Sequence, residues 1–166
     1  MRKMLQLLAA LSLGACAAKD AEDDTAADDQ DDSSDIDEAD FATAEALWTE
    51  ISGYETWPQV APWEGVQISE SVHGSHVQIW ANPTSVDHID AAGGGDMVDG
   101  AIHVKEGYSS ASGAAEAITV MKKDGGTWFY ARYSPSGDIE LAGESALGLC
   151  QGCHTSGQDE VLFATW

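Results

Sequence analysis

The amino-acid sequence predicts an α+β domain, a mainly antiparallel β-sheet of about five strands with a few short helices. Three observations carry this expectation. Short runs rich in Val, Ile, Trp, Phe and Tyr recur in the second half of the chain between stretches of Gly, Pro, Asn and Ser, the composition of strands separated by turns. Two of these runs flank the segment KKDGGTW, where Asp124, Gly125 and Gly126 tolerate the positive φ of a tight hairpin turn. Helix signals are brief by comparison, and no internal repeat is visible.

Taken in order, the folded part should open with a helix over residues 41–52. Asp40 would cap its start, Gly53 would stop it, and Leu47, Trp48 and Ile51 would form its buried stripe. YETWPQVAPWEG follows, with two prolines and two tryptophans, and reads as an aromatic-rich loop packed on the domain. Strands are expected over residues 76–81, 100–108, 117–123 and 127–133, with another near 66–70. Between the second and third of these five, PTSVDHID suggests a short helix capped by Thr84 or Ser85, and a run of three glycines comes after it.

The N-terminal segment is of another kind. MRKMLQLLAALSLGA places Arg2 and Lys3 ahead of an apolar run too short to span a bilayer as a mature helix, the pattern of an export signal over residues 1–15. The run ends in LGAC, which resembles a bacterial lipoprotein cleavage site. Cys16 would then be the lipidated N-terminus of the mature chain, holding it to the periplasmic side of a membrane. Residues 16–40 are dominated by acidic side chains and offer almost nothing to bury, so they should form a disordered tether. The folded domain is assigned to 41–166. A formal charge of −22 repels polyanions, which excludes nucleic acid as a partner class.

With Cys16 set aside, Cys150 and Cys153 remain, in CQGCH near the C-terminus. In an exported chain such a pair is a disulfide, a metal site or a cofactor attachment. A bridge across so few residues closes almost no loop. A zinc site would need a further ligand of known spacing, and no second C-x-x-C exists. A thioredoxin-like pair would open the helix of a βαβ unit. His154, directly after Cys153, selects covalent haem c: both thiols add to the vinyl groups and the imidazole binds the iron. On a helical turn positions three apart share a face, so the three side chains converge on one porphyrin. Only TSGQDEVLFATW follows the motif, so any second axial ligand must come from upstream.

From Trp48 onward the chain resembles the cytochrome P-460 family and its relative, the beta-type cytochrome c prime. The resemblance rests on HGSHVQIWAN, MVDGAIHVKEGY, ITVMKKDGGTWFYARYSPSG and CQGCHTSGQDEVLFAT, in that order. It implies an antiparallel sheet, a homodimer, one haem c per chain attached near the C-terminus, and an iron open on its distal side. It also implies either hydroxylamine oxidation, with a lysine bonded to the porphyrin, or nitric oxide binding without that bond. Lys105 falls at the position of that lysine, and strand alternation sets His103 and Lys105 on one face with Ile102 and Val104 on the other. Glu106 and Glu144 are candidates for the family's proton-relaying carboxylate, and Arg132 is a candidate donor to a haem propionate. His73, His76, His88 and His103 are candidate sixth ligands, though such residues are more often structural, as are Met97 and Met121. Trp57, Trp63 and Trp80 would wall the haem or the core.

The function expected from these readings is that of an exported mono-haem cytochrome acting on small nitrogen species or a diatomic gas, with an external cytochrome as redox partner. The competing expectation is a six-coordinate electron carrier with no substrate chemistry.

Overall fold

The computed structural model describes residues 36–59, 63–92 and 95–161. Six strands form one antiparallel sheet in sequence order: β1 (Gln67–Ser71), β2 (Gly74–Ala81), β3 (Ile102–Tyr108), β4 (Ala117–Asp124), β5 (Thr127–Tyr133) and β6 (Ile139–Ala142). Among the described residues three helices accompany it, α1 (Glu38–Glu50), α2 (Pro83–Ala92) and α3 (Gly143–His154), with one 3₁₀ turn at Tyr54–Thr56. The α+β class is as the sequence indicates. The sheet has one strand more than expected, because the four residues of β6 follow a Ser-Pro-Ser-Gly turn and are too few to show a period.

The β4–β5 turn is the hairpin expected from Asp-Gly-Gly. Asp124 pairs with Thr127 across it, and Gly125 and Gly126 between them have φ of 55° and 81°. Alternation along the strands then gives the sheet two different faces. One packs against α1, where Leu47, Ile51 and Tyr54 meet Val104, Val120 and Tyr133 in a cluster of buried side chains. The other carries Ile79, Met121, Trp128 and Tyr130, covered by Ala146 of α3 and by Val161. Of the three residues expected along the buried stripe of α1, Leu47 and Ile51 are buried, and Trp48 lies partly buried with its ring 4.8 Å from that of Tyr133.

The first helix begins earlier than expected. Asp37, not Asp40, caps it by accepting from the Ala39 N–H at 2.7 Å, and Ile36 packs against the α1-side cluster. Residues 36–40 therefore belong to the folded part rather than to the tether; the rest of the tether, Cys16 and the expected signal segment lie outside the described residues. Asp40 instead caps α3. Its carboxylate accepts from the Glu144 N–H at 2.9 Å, beside Gly143, whose φ of 54° lets the chain turn out of β6. A Cβ on Gly143 would lie 1.9 Å from that carboxylate. Helix α2 likewise starts one residue before its expected caps, with Asn82 Oδ1 accepting from the Ser85 N–H at 3.0 Å and from the Ser85 hydroxyl.

Candidate functional site

A narrow, partly open cavity lies on the face of the sheet that carries α3. The strands supply its floor: Ile79 from β2, His103 and Lys105 from β3, Thr119 and Met121 from β4, and Tyr130 from β5. These strand residues share one face by alternation, and the expectation for His103 and Lys105 holds, since Ile102 and Val104 point into the α1-side core. Cys150 and His154 close the cavity from α3. They are four apart, so the helix presents both on one side. Cys153 is exposed while Cys150 is partly buried. His73, in the turn between β1 and β2, completes the lining.

His154 ends α3 with its ring Nδ1 2.8 Å from the Glu160 carbonyl. A carbonyl only accepts, so Nδ1 carries the hydrogen and Nε2 keeps its lone pair. Burial holds the ring's pKa below its ordinary value, which also keeps that lone pair available. The segment that aims this carbonyl is firmly tied. Asp159 and Glu160 both have positive φ, 47° and 63°, uncommon for residues other than glycine. Lys123 and Asp159 form an ion pair at 2.6 Å with little exposure on either side. Asp159 also accepts the Met97 N–H through its carboxylate and the Trp128 indole N–H through its carbonyl, each at 2.7 Å. The Glu160 carboxylate accepts the Tyr130 hydroxyl, and the Tyr130 ring stands 5.6 Å from His154.

Lys105 lies within the cavity, and burial brings its ammonium pKa down to about 8, an effect opposed by the Cys150 thiol. About a tenth of its amine is thus neutral near pH 7 and able to act as a nucleophile, far more than for an exposed lysine. Burial, reinforced by the charge of Lys105, lowers His73 and His103 to about 3, so both rings are neutral. His103 packs its ring 5.3 Å from Trp128.

The other residues singled out by sequence fall elsewhere. Glu106 is next to Lys105 but on the opposite face, where the hydroxyls of Tyr54 and Tyr108 both donate to its carboxylate. Glu144 is exposed in the first turn of α3. Neither carboxylate lines the cavity, because strand parity turns one away and helix phase the other. Arg132 shares the cavity's face of the sheet, but its guanidinium pairs with Glu140 at 2.7 Å, both being well exposed. His76 and His88 do not reach the cavity lining, Met97 packs nearby in the core, and Met121 forms part of the floor. Trp57 and Trp80 join the α1-side core, whereas Trp63 packs on the cavity's side. Sequence reasoning missed Thr119, Tyr130 and the Glu160 carbonyl; the first two were legible as alternate residues of β4 and β5, and the third was not, since it depends on two unusual backbone conformations.

The cavity and the helix beside it have the donor set of a haem site: a histidine with its tautomer fixed, the Cys150 thiol in the lining, the exposed Cys153 three residues further along the same helix, and a largely apolar floor, which fit a porphyrin and its iron. A one-sheet domain built around such a pocket defines a small cytochrome-like class. The chain belongs to the cytochrome P460 family, whose model matches residues 51–163, and membership implies a haem protein. No curated protein matches the chain.

Proposed function

We propose that this protein is an exported, lipid-anchored cytochrome with one haem c, bound through Cys150 and Cys153 and ligated by His154, and that it acts on hydroxylamine or nitric oxide. The observation that carries the reading is the placement of Cys150 and His154 on one wall of a cavity whose depth holds Lys105. When bound, the haem supplies a redox-active iron that takes up a small nitrogen species and passes electrons to or from an external cytochrome. The protein's own residues do the rest. The Glu160 carbonyl orients His154 and raises the basicity of its Nε2. Ile79, Met121 and the sheet exclude water from the floor. Lys105 contributes a largely buried amine beside the Cys150 thiol, in the position of the family's porphyrin-bonded lysine. Cys16 anchors the mature chain on the periplasmic side of a membrane, and two copies form a homodimer.

The test is made on the protein matured in a host that attaches haem c. After acid and organic extraction, the polypeptide should retain the mass of one haem, and its ferrous spectrum should respond to carbon monoxide. Loss of all haem on extraction would remove the covalent site, and a spectrum indifferent to carbon monoxide would leave an electron carrier instead.

A further inference from the structure

The turn that carries the Glu160 carbonyl is held more tightly than a bend in the chain requires. It spans residues 158–161, with Gln158 and Val161 bridged and the Val161 N–H donating to the Gln158 carbonyl at 3.0 Å. Its central pair, Asp159 and Glu160, are the two residues other than glycine with positive φ among the described residues. The β4–β5 hairpin meets the same demand with Gly125 and Gly126, where the left-handed conformation brings no steric strain. At 159 and 160 the chain keeps side chains instead, and each is fastened to the sheet. Backbone strain of this kind persists only where the surroundings over-determine it.

These fastenings fix a direction. A peptide unit is planar and trans, so its N–H and C=O point opposite ways. The Val161 N–H belongs to the same unit as the Glu160 carbonyl; because Gln158 holds the first, the second faces outward from the turn, onto His154 Nδ1 at 2.8 Å. The preceding unit is held by Trp128, whose indole N–H donates to the Asp159 carbonyl at 2.7 Å. Both units around the Glu160 α-carbon are therefore pinned. The Asp159 carboxylate ties them to the strands, accepting from the Lys123 ammonium at 2.6 Å and from the Met97 N–H at 2.7 Å. Lys123 is 5% exposed, and its Nζ lies 5.2 Å from the centre of the Trp128 ring, so one buried cation serves the carboxylate and the ring together. Parting such a pair leaves a buried charge without its partner.

We propose that Asp159, locked by Lys123, is the positioning residue of the iron's histidine: it keeps the Glu160 carbonyl on His154 and thereby lowers the reduction potential of the bound haem. The inference rests on His154 being the proximal ligand. A firmly held acceptor at Nδ1 makes the imidazole a stronger donor through Nε2, and stronger donation favours the ferric over the ferrous iron. An ion pair that served only the stability of the fold would leave the ligand's electronics untouched.

The experiment uses the haem-loaded protein and two changes that release the turn without altering its net charge. Trp128→Phe removes the indole donor and keeps an aromatic ring. Lys123→Met with Asp159→Asn removes both members of the ion pair. In each protein the ferrous iron–imidazole stretch should fall in frequency by resonance Raman spectroscopy, and reduction should become about tenfold more favourable, about 59 mV for one electron, with the haem mass unchanged. Leu47→Ala, which weakens the fold from the other face of the sheet, should move neither quantity. Should the double variant not fold, Trp128→Phe decides alone. An unchanged stretch and potential in the folded variants, or an equal shift in Leu47→Ala, overturns the assignment while leaving the proposed function intact. A protein without covalent haem removes both.

Discussion

The two faces of the sheet are built from the same strands and differ in what they can do. On the α1 face, polar groups are paired off around a cluster of buried apolar side chains: the Tyr133 hydroxyl donates to the Ala44 carbonyl at 2.9 Å, and Glu106 is held by two tyrosines. Burial and the Glu106 carboxylate raise the pKa of Tyr54 and Tyr108, so these hydroxyls stay protonated as donors. On the α3 face, Lys105, His73 and His103 sit in a cavity with their basic forms favoured by burial. Alternation thus lets adjacent residues, Lys105 and Glu106, serve different purposes. Stability is concentrated on one side and reactivity on the other.

The strongest way to break this comparison is to cut into the α1 face. Leu47 is 2% exposed in the centre of that core, and Leu47→Ala should destabilise the fold by about 3 kcal/mol through lost burial and the cavity left behind. The haem spectrum and ligand-binding rates of the surviving folded fraction should not change. Denaturant unfolding with absorbance as a second probe measures both, and an altered spectrum would show that the faces are coupled.

Lys105 tests the other face with a smaller effect. In the unfolded chain its amine holds a proton up to its ordinary value of 10.5, and in the fold only up to about 8. Between these limits the unfolded state binds more protons, so stability rises with pH, and below about 8 the cost of burying the cation is fully present. Lys105→Leu should therefore stabilise the protein on the order of 2 kcal/mol below pH 8, with the gain shrinking as pH rises through the window. Unfolding curves of wild type and variant across that range check the sign. They also sort the two forms in the family: an amine bonded to the porphyrin gives no such pH dependence, and its replacement moves the Soret band back to that of an ordinary c haem.

What the sequence made legible follows the range of the interactions involved. The strands, the Gly125–Gly126 hairpin, the shared face of His103 and Lys105, and the Cys150–His154 helix all rest on spacing within one element. The cavity's floor was readable by the same parity, since Thr119 and Tyr130 alternate with Val120 and Ala131. Contacts that join distant segments were not. His73 was one of four histidines of equal standing until the turn placed it beside His154. Glu106 lost its candidacy for the proton relay to a partner, Tyr54, far back in the chain. Asp40 reads as the cap of the helix it stands beside, yet its carboxylate serves a helix more than a hundred residues later.

That last contact joins the two faces, and it gives the smallest and most exacting test. Helix α3 has no side-chain cap of its own, because Ala142 stands at the N-cap position; Ser145 serves the Ala142 N–H at 3.2 Å, and Asp40 reaches across from α1 to the Glu144 N–H. A carboxylate there satisfies an otherwise unpaired donor and meets the positive end of the helix dipole. Asp40→Ala should cost about 1 kcal/mol, with Asp40→Asn losing less because the amide oxygen still accepts. Gly143→Ala should cost more in the wild-type background, since its methyl would strike the Asp40 carboxylate as well as bear the strain of a φ of 54°. In the Asp40→Ala background only the backbone strain is left, roughly 1 kcal/mol, so the double variant should be more stable than the sum of the single losses implies. Additive losses in unfolding measurements on all four proteins would mean that Asp40 does not hold the start of α3, and that this helix is anchored from its own side of the sheet alone.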